Sequence, residues 1–367
     1  MTSQYSQTTM PAPSEIRKIA CLMINGIGDI ICVTPALEAL KTSYPDSEIS
    51  VIVRPHLHDL IAGNPYVSRV LAYEVGATWK RLAYLLKLRR EKFDLWVDLH
   101  APTFNTMSSN RRDFLRNSLL MRASGARYRL AYALPALVPH LTHAATIPDD
   151  ATLKSENIVD TTVALIDRAA RGRYRKRVPT SDADRRWAAN LLPPTQVPRL
   201  ALFFGSRQAA DLWPEAHILE FVAILSRRLP NAEIVLIGGE HETGLARRLE
   251  AALAGRTQSR LLNLIGVASF GQTAAALERC HAFVGTDSGA THIADAVGLP
   301  IVALFSSKNY PAIWQPVSAG AIVLNHPVDC GPCFKADCPI GNKCMQLVTP
   351  QEVLDALLRL IDPKLLP

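Results

Sequence analysis

Residues 281–307 read HAFVGTDSGATHIADAVGLPIVALFSS, and this stretch decides the fold. An apolar run over 281–287 ends in a small polar loop, a helical pattern covers 290–297, and a second apolar run covers 300–307. Both runs are rich in Val, Leu, Ile and Phe without alternation, the composition of strands covered on both faces. Strand, helix, strand in that order predicts parallel pairing. Working outward, PRLALFFG (198–205) and AEIVLIGG (232–239) are two more strand patterns with helices between them. An amphipathic pattern over 349–361 opens on Thr349-Pro350, a cap followed by a proline suited to a first turn. Toward the N-terminus, KIACLMI (18–24), EISVIVR (48–54), RVLAYE (69–74) and DLWVDLH (94–100) repeat the arrangement, with helices over about 30–43 and 77–92. Between the halves, RGRYRKRVP (171–179) carries five basic residues and a proline, which fits an exposed connection. The fold class is α/β: a disordered tail over 1–14, then two doubly wound, Rossmann-like domains over 15–178 and 179–367.

The 367 residues are 48% hydrophobic and 20% charged, which supplies two cores and excludes global disorder. No apolar stretch reaches the ~18–20 residues that would cross a bilayer. The longest uncharged candidate, 130–148, is broken by Pro135, Pro139 and Pro148. The N-terminus is polar and lacks the basic-then-apolar layout of an export signal, so a cytoplasmic location is expected. Charge is uneven: residues 1–180 carry a net +8 and the remainder a net −1. A basic half suits an anionic partner, although a solvated basic face explains the charge equally well. Basic helices near 77–92 and 111–129 suit anionic lipid headgroups, giving an expectation of peripheral contact at the inner face of the inner membrane. Nucleic acid ranks last, because no aromatic stacking pattern or recognition motif accompanies the charge.

Four strand-to-helix turns carry the ligand chemistry. Asn25-Gly26-Ile27-Gly28-Asp29 lies where ligands bind in open α/β sheets, and Gly26 and Gly28 permit a sharp turn. Asp29 reads either as a helix cap or as a general base for a substrate hydroxyl. In Gly285–His292, Ser288 and Gly289 open a helix whose free N–H groups suit phosphate, Asp287 caps or accepts ligand hydroxyls, and His292 is structural or ligand-facing. Gly205-Ser206-Arg207-Gln208 offers Arg207 for a bidentate phosphate contact. Gly238-Gly239-Glu240-His241-Glu242 offers a carboxylate for a ribose.

GDIICVTPALEALKTSYPDSEISVIVRP with NPYVSRVLAYE, and then FFGSRQAADLWPEAH, IGGEHE and VGTDSGATHIADAVGLPIVALF, resemble glycosyltransferase family 9, the ADP-heptose heptosyltransferases, in order and spacing. The resemblance runs from about Lys18 to Ile361 and implies a GT-B fold: two Rossmann-like domains facing a cleft, donor on the C-terminal one, acceptor on the N-terminal one. It implies inverting transfer of heptose from ADP-heptose to a phosphorylated lipopolysaccharide core, an anionic glycolipid acceptor, with no catalytic metal. Asp29 falls at the base, Glu242 at the adenosine ribose, and Ser206, Ser288 and Gly289 at the diphosphate. Asp287 and His292 match the helix-opening Asp and His. Two places depart: Asp211 stands where the family often has lysine, so either Arg207 replaces it or the donor chemistry differs, and Ala101–Asn105 differs from the run that usually follows Asp98. The scaffold working on a protein or with another sugar nucleotide is one alternative. A non-catalytic module with a decayed donor site, signalled by Asp211, is the other.

Cys330, Cys333, Cys338 and Cys344 fall within fifteen positions. Cys330-Gly-Pro-Cys333 is a compact knuckle, and the later pair would complete an all-sulfur tetrahedral site. A structural zinc or iron is expected there ahead of free thiols, since a reducing cytosol disfavours disulfides. Relatives of the resembled family carry similar clusters, some with iron.

Overall fold

A computed structural model describes residues 10–73, 78–103, 111–253 and 260–366. The chain forms two compact units, Met1–Lys176 and Arg177–Pro367.

The first unit runs β1 (Lys18–Leu22), α1 (Ile27–Ser43), β2 (Glu48–Val53), β3 (Arg69–Ala72), α2 (Thr78–Arg90), β4 (Leu95–Asp98), α3 (Arg111–Ala123), β5 (Tyr128–Tyr132), β6 (His143–Ala145), α4 (Asp150–Ser155) and α5 (Ile158–Ile166). Its six strands are parallel in the order β3-β2-β1-β4-β5-β6. The order reverses between β1 and β4, which pair from Ile19↔Leu95 to Leu22↔Asp98. Loops leaving these two strands therefore flank the crevice where open α/β sheets bind ligands. β4 is buried along its whole length and β1 along all but its first residue, which explains their unbroken apolar runs. α1 packs on α5 and buries residues on most of its sides, so its sequence shows little amphipathic period.

The chain ahead of β1 bears on the expected tail. Residues 1–9 lie outside the described residues, but Pro11 is buried, its carbonyl accepts from Tyr44 Oη at 3.3 Å, and Pro13–Glu15 form a 3-10 turn. The basic run expected to be an exposed connection alternates: Arg173 and Arg175 are exposed, whereas Tyr174 and Lys176 are buried.

The second unit runs α6 (Asp182–Leu191), β7 (Arg199–Phe203), α7 (Glu215–Arg228), β8 (Glu233–Leu236), α8 (Thr243–Leu253), β9 (Arg260–Asn263), α9 (Phe270–Leu277), β10 (Ala282–Thr286), α10 (Gly289–Ala296), β11 (Ile301–Leu304), α11 (Pro311–Trp314), β12 (Ala321–Leu324), α12 (Lys343–Gln346) and α13 (Pro350–Leu360). Six parallel strands lie in the order β12-β11-β10-β7-β8-β9, with the reversal between β7 and β10. β10 and β11 are buried throughout, as their composition requires. Capping fixes several helix starts: Ser181, Ser269 and Thr349 accept from backbone N–H groups three residues on. Beneath the β7 loop, Phe204, Trp213 and Phe221 pack with ring centroids 5.5–6.0 Å apart, and Trp213 Nε1 donates to Val348 O at 2.9 Å. Burying each such ring contributes ~1.5–3 kcal/mol or more, so the loop between Phe204 and Trp213 is anchored at both ends.

Candidate functional site

In the first unit the chain leaves β1, turns at Asn25-Gly26 and enters α1. Gly26 is the N-cap, extended at φ −74° and ψ 174°. Asp29 therefore sits inside the first turn, and its Oδ2 accepts from the Gly26 N–H at 2.9 Å. The helix starts earlier than the sequence pattern placed it because glycine can serve as the cap. Asp29 thus pairs with the capping residue instead of being one, as the carboxylate half of a capping box favoured by the helix dipole.

Asp29 is half-buried and lines a hollow with Asn25, Leu99 and His100. His100 comes from the end of β4. Its Nδ1 is hydrogen-bonded to Asp98 Oδ1, and its Nε2 lies 2.7 Å from Asn25 Oδ1. The Phe114 ring meets it edge-on at 6.0 Å. Asp98 is fully buried, and its Oδ2 has no hydrogen-bond partner among the described residues. The imidazole therefore ties β4 to the turn that carries Asp29. Asp98 and His100 are a signal that sequence reading passed over, although both stand in the strand-end pattern DLWVDLH.

In the second unit three strand ends meet around Gly205. The Thr286 hydroxyl, at the end of β10, donates to Gly205 O at 2.6 Å. Glu242, at the end of the 3-10 turn Glu240–Glu242, accepts from Gly239 N–H at 2.8 Å and lies over Gly205. A Cβ at 205 would fall 2.3 Å from Glu242 Oε1, so the glycine makes the approach possible. Ser206 Oγ accepts from Gln208 N–H at 3.1 Å, and Arg207 is exposed on the same loop. Ser288 is the N-cap of α10 but makes no side-chain cap bond, and its buried Oγ has no partner among the described residues. The first-turn N–H groups of α10, opened by Gly289, point out of the helix end as an anion site requires. Asp287 immediately precedes them and is half-buried, while His292 is buried one turn in. Sequence-selected Ser206, Arg207, Glu242, Asp287, Ser288 and Gly289 thus share one end of one sheet.

Asp211 behaves differently from the expectation of a carboxylate repelling a diphosphate. Its side chain is 6% exposed and forms an ion pair with Lys308 Nζ, itself 5% exposed. Its Oδ1 also accepts from the Ser306 hydroxyl at 2.6 Å, and Lys308 bonds Gln208 Oε1. The negative charge is paired within the protein and held under the loop. Lys308, just past β11, was not visible as a site residue in the sequence.

The four clustered cysteines are free thiols that line one hollow together with Lys308 and Lys343. Among the described residues, no three His, Cys, Asp or Glu side chains converge where a metal ion could sit. The loop takes its course from backbone bonds, Phe334 N to Lys308 O and Ala210 N to Ala336 O, both 2.9 Å. The zinc or iron expected from the spacing is not shown by the thiols as placed.

The model of glycosyltransferase family 9 (heptosyltransferase) matches residues 112–344. Lipopolysaccharide heptosyltransferase 2 of Salmonella typhimurium is 26% identical over 364 residues, covering 93% of this chain and 97% of that protein. Lipopolysaccharide heptosyltransferase 3 of Escherichia coli is 23% identical over 317 residues, covering 80% and 85%. Among solved structures, the ADP-heptose lipopolysaccharide heptosyltransferase II of E. coli superposes with a TM-score of 0.73 at 21% identity, covering 94% and 98%. This likeness extends over both six-stranded sheets and shows the GT-B fold.

Proposed function

The chain belongs to glycosyltransferase family 9, and from that premise we propose that it transfers a heptose from ADP-heptose, with inversion, to a hydroxyl of an anionic lipopolysaccharide-core acceptor. The observation that carries this reading is the meeting of three strand ends at Gly205, where Thr286 fixes the loop and Glu242 lies across it. One edge then offers a carboxylate for ribose hydroxyls and, beside it, a helix N-terminus with an unpartnered serine hydroxyl for phosphate. The names of the curated relatives supply the sugar and the acceptor class.

In this mechanism Asp29 takes the proton of the acceptor hydroxyl as its oxygen attacks the anomeric carbon. A glycosidic bond forms, the bond from that carbon to the β-phosphate oxygen breaks, and ADP leaves with the electron pair. The growing negative charge meets the first-turn N–H groups of α10, Ser288, Ser206 and Arg207, donors already in place before the reaction. Glu242 accepts the ribose hydroxyls, while Asp287 and His292 shape the helix opening. Asp98 and His100 hold the Asn25-Gly26 turn, so that Asp29 keeps one orientation. These donors carry the charge without a catalytic metal, and the cysteine loop takes no part in the step. The decayed-site alternative rested on Asp211, whose charge is paired with Lys308.

Incubation with a panel of ADP-, UDP- and GDP-sugars, with and without a heptose-deficient core acceptor, tests the proposal through nucleoside diphosphate release. ADP release that requires both ADP-heptose and the glycolipid is the expected result. Release from another nucleotide sugar, sugar transfer to polypeptide only, or no release at all would overturn it.

A further inference from the structure

Two helices of the first unit carry the same outward stripe. On α2, Tyr84 and Leu88 are buried, whereas Leu82 and Leu86 are 60% and 48% exposed. On α3, Asn117 and Met121 are buried, whereas Leu115 and Leu119 are 47% and 52% exposed. An exposed arginine continues each stripe, Arg89 after Leu86 and Arg122 after Leu119. The order Leu, Leu, Arg at i, i+4 and i+7 puts all three side chains on one helix face, opposite the buried one. Tyr84, Leu88, Leu120 and Met121 join one core cluster and the two helices touch, so both stripes belong to one surface.

This surface is unusual in two respects. Four of the nine exposed large hydrophobics among the described residues lie on it. The sequence of α2 has no acidic residue and five basic ones, and that of α3 has only Asp113 against four arginines. Leucines flanked by cations suit a boundary with acyl chains on one side and phosphates on the other. A second copy of the chain on this face would bring cations against cations. A nucleic acid would gain nothing from the leucines, which offer no stacking surface.

We propose that α2 and α3 form a docking face for an anionic bilayer, with Leu82, Leu86, Leu115 and Leu119 entering the acyl boundary and Arg89 and Arg122 meeting lipid phosphates. The proposal goes beyond the transfer reaction, since it needs no donor, acceptor or base, and binding to lipid can succeed or fail independently of turnover.

The test is flotation of the full chain with phosphatidylcholine vesicles, with and without phosphatidylglycerol. Binding is expected only with phosphatidylglycerol, and added salt should weaken it. The charge-neutral variant Leu86→Ser/Leu119→Ser should bind at least ~10-fold more weakly, because two side chains lose their apolar burial. Arg89→Gln/Arg122→Gln should weaken binding by about fivefold per cation. Both variants alter exposed side chains, so unchanged melting and unchanged ADP release from a soluble acceptor are expected. Absence of binding to phosphatidylglycerol vesicles, equal binding to phosphatidylcholine alone, or full binding by the serine variant would overturn the proposal. So would a wild-type dimer that the serine variant turns into a monomer.

Discussion

Two turns in the molecule use the same backbone device and end in different surroundings. After β1, the Gly26 N–H donates to Asp29 at 2.9 Å; after β8, the Gly239 N–H donates to Glu242 at 2.8 Å. In each, a glycine caps a helical turn and a carboxylate three residues on reaches back to it. The first turn opens a 17-residue helix and leaves its carboxylate in a hollow with His100, which Asp98 holds. The second opens one 3-10 turn and lays a longer side chain across a neighbouring strand end, where Gly205 leaves room. The cap fixes where the chain turns, and the next strand over decides what the carboxylate can do. A short acid beside an imidazole suits proton transfer, and a long acid over a flat glycine suits holding hydroxyls.

The largest effect that would separate the two turns is on turnover. Asp29→Ala should lower kcat by ~10²–10⁴. Near-normal kcat would remove Asp29 from the role of base and make the two turns equivalent structural caps. The support of the loop between Phe204 and Trp213, over whose Gly205 the second carboxylate lies, should be the costliest to folding. Lys308→Met leaves Asp211 buried without its cation, an expected loss of ~3–5 kcal/mol in denaturant unfolding. Lys308→Met combined with Asp211→Leu should recover most of that loss, whereas an additive further loss would show that the pair does not act as a unit.

Gly205→Ala sharpens the account of Glu242. The new Cβ displaces the carboxylate, so KM for the donor should rise ~10–100-fold, the worth of a hydrogen bond to a charged group, with kcat retained. His100→Leu should cost ~10–100-fold in kcat, as expected for the loss of both ring hydrogen bonds, and His100→Gln, which can still bridge Asp98 and Asn25, should restore most of it. Equal losses in the two variants would show that the imidazole does more than hold the turn. The smallest effect expected is that of a chelator, which should leave turnover unchanged.

The sequence made the alternation of strand and helix legible, because strands covered on both faces must be continuously apolar and their loops must carry glycine and small polar residues. The turns at Gly26, Gly239 and Gly289 were legible for the same reason. The exact start of α1 was not: an aspartate near a helix start looks like a cap, and only the backbone shows that Gly26 takes that place. His100 and Asn25 stand 75 positions apart and meet because β4 lies beside β1, an adjacency that a list of strands does not specify. Asp211 read as a defect because its partner Lys308 comes from the end of a strand far along the chain. The cysteine spacing suggested convergence, and the four thiols do line one hollow, while backbone bonds to Lys308 and Ala210 set the course of that loop.

The central claim is that the two glycine-capped carboxylates divide the work, Asp29 moving the proton and Glu242 securing the nucleotide. Calorimetric titration of ADP-heptose into Asp29→Ala and Gly205→Ala, with ADP release followed at saturating donor in the same preparations, tests it most directly. The expected result is a crossed one: Asp29→Ala keeps donor affinity and loses turnover, whereas Gly205→Ala loses affinity and keeps turnover. Loss of both properties in Asp29→Ala, or full donor affinity in Gly205→Ala, would contradict the division.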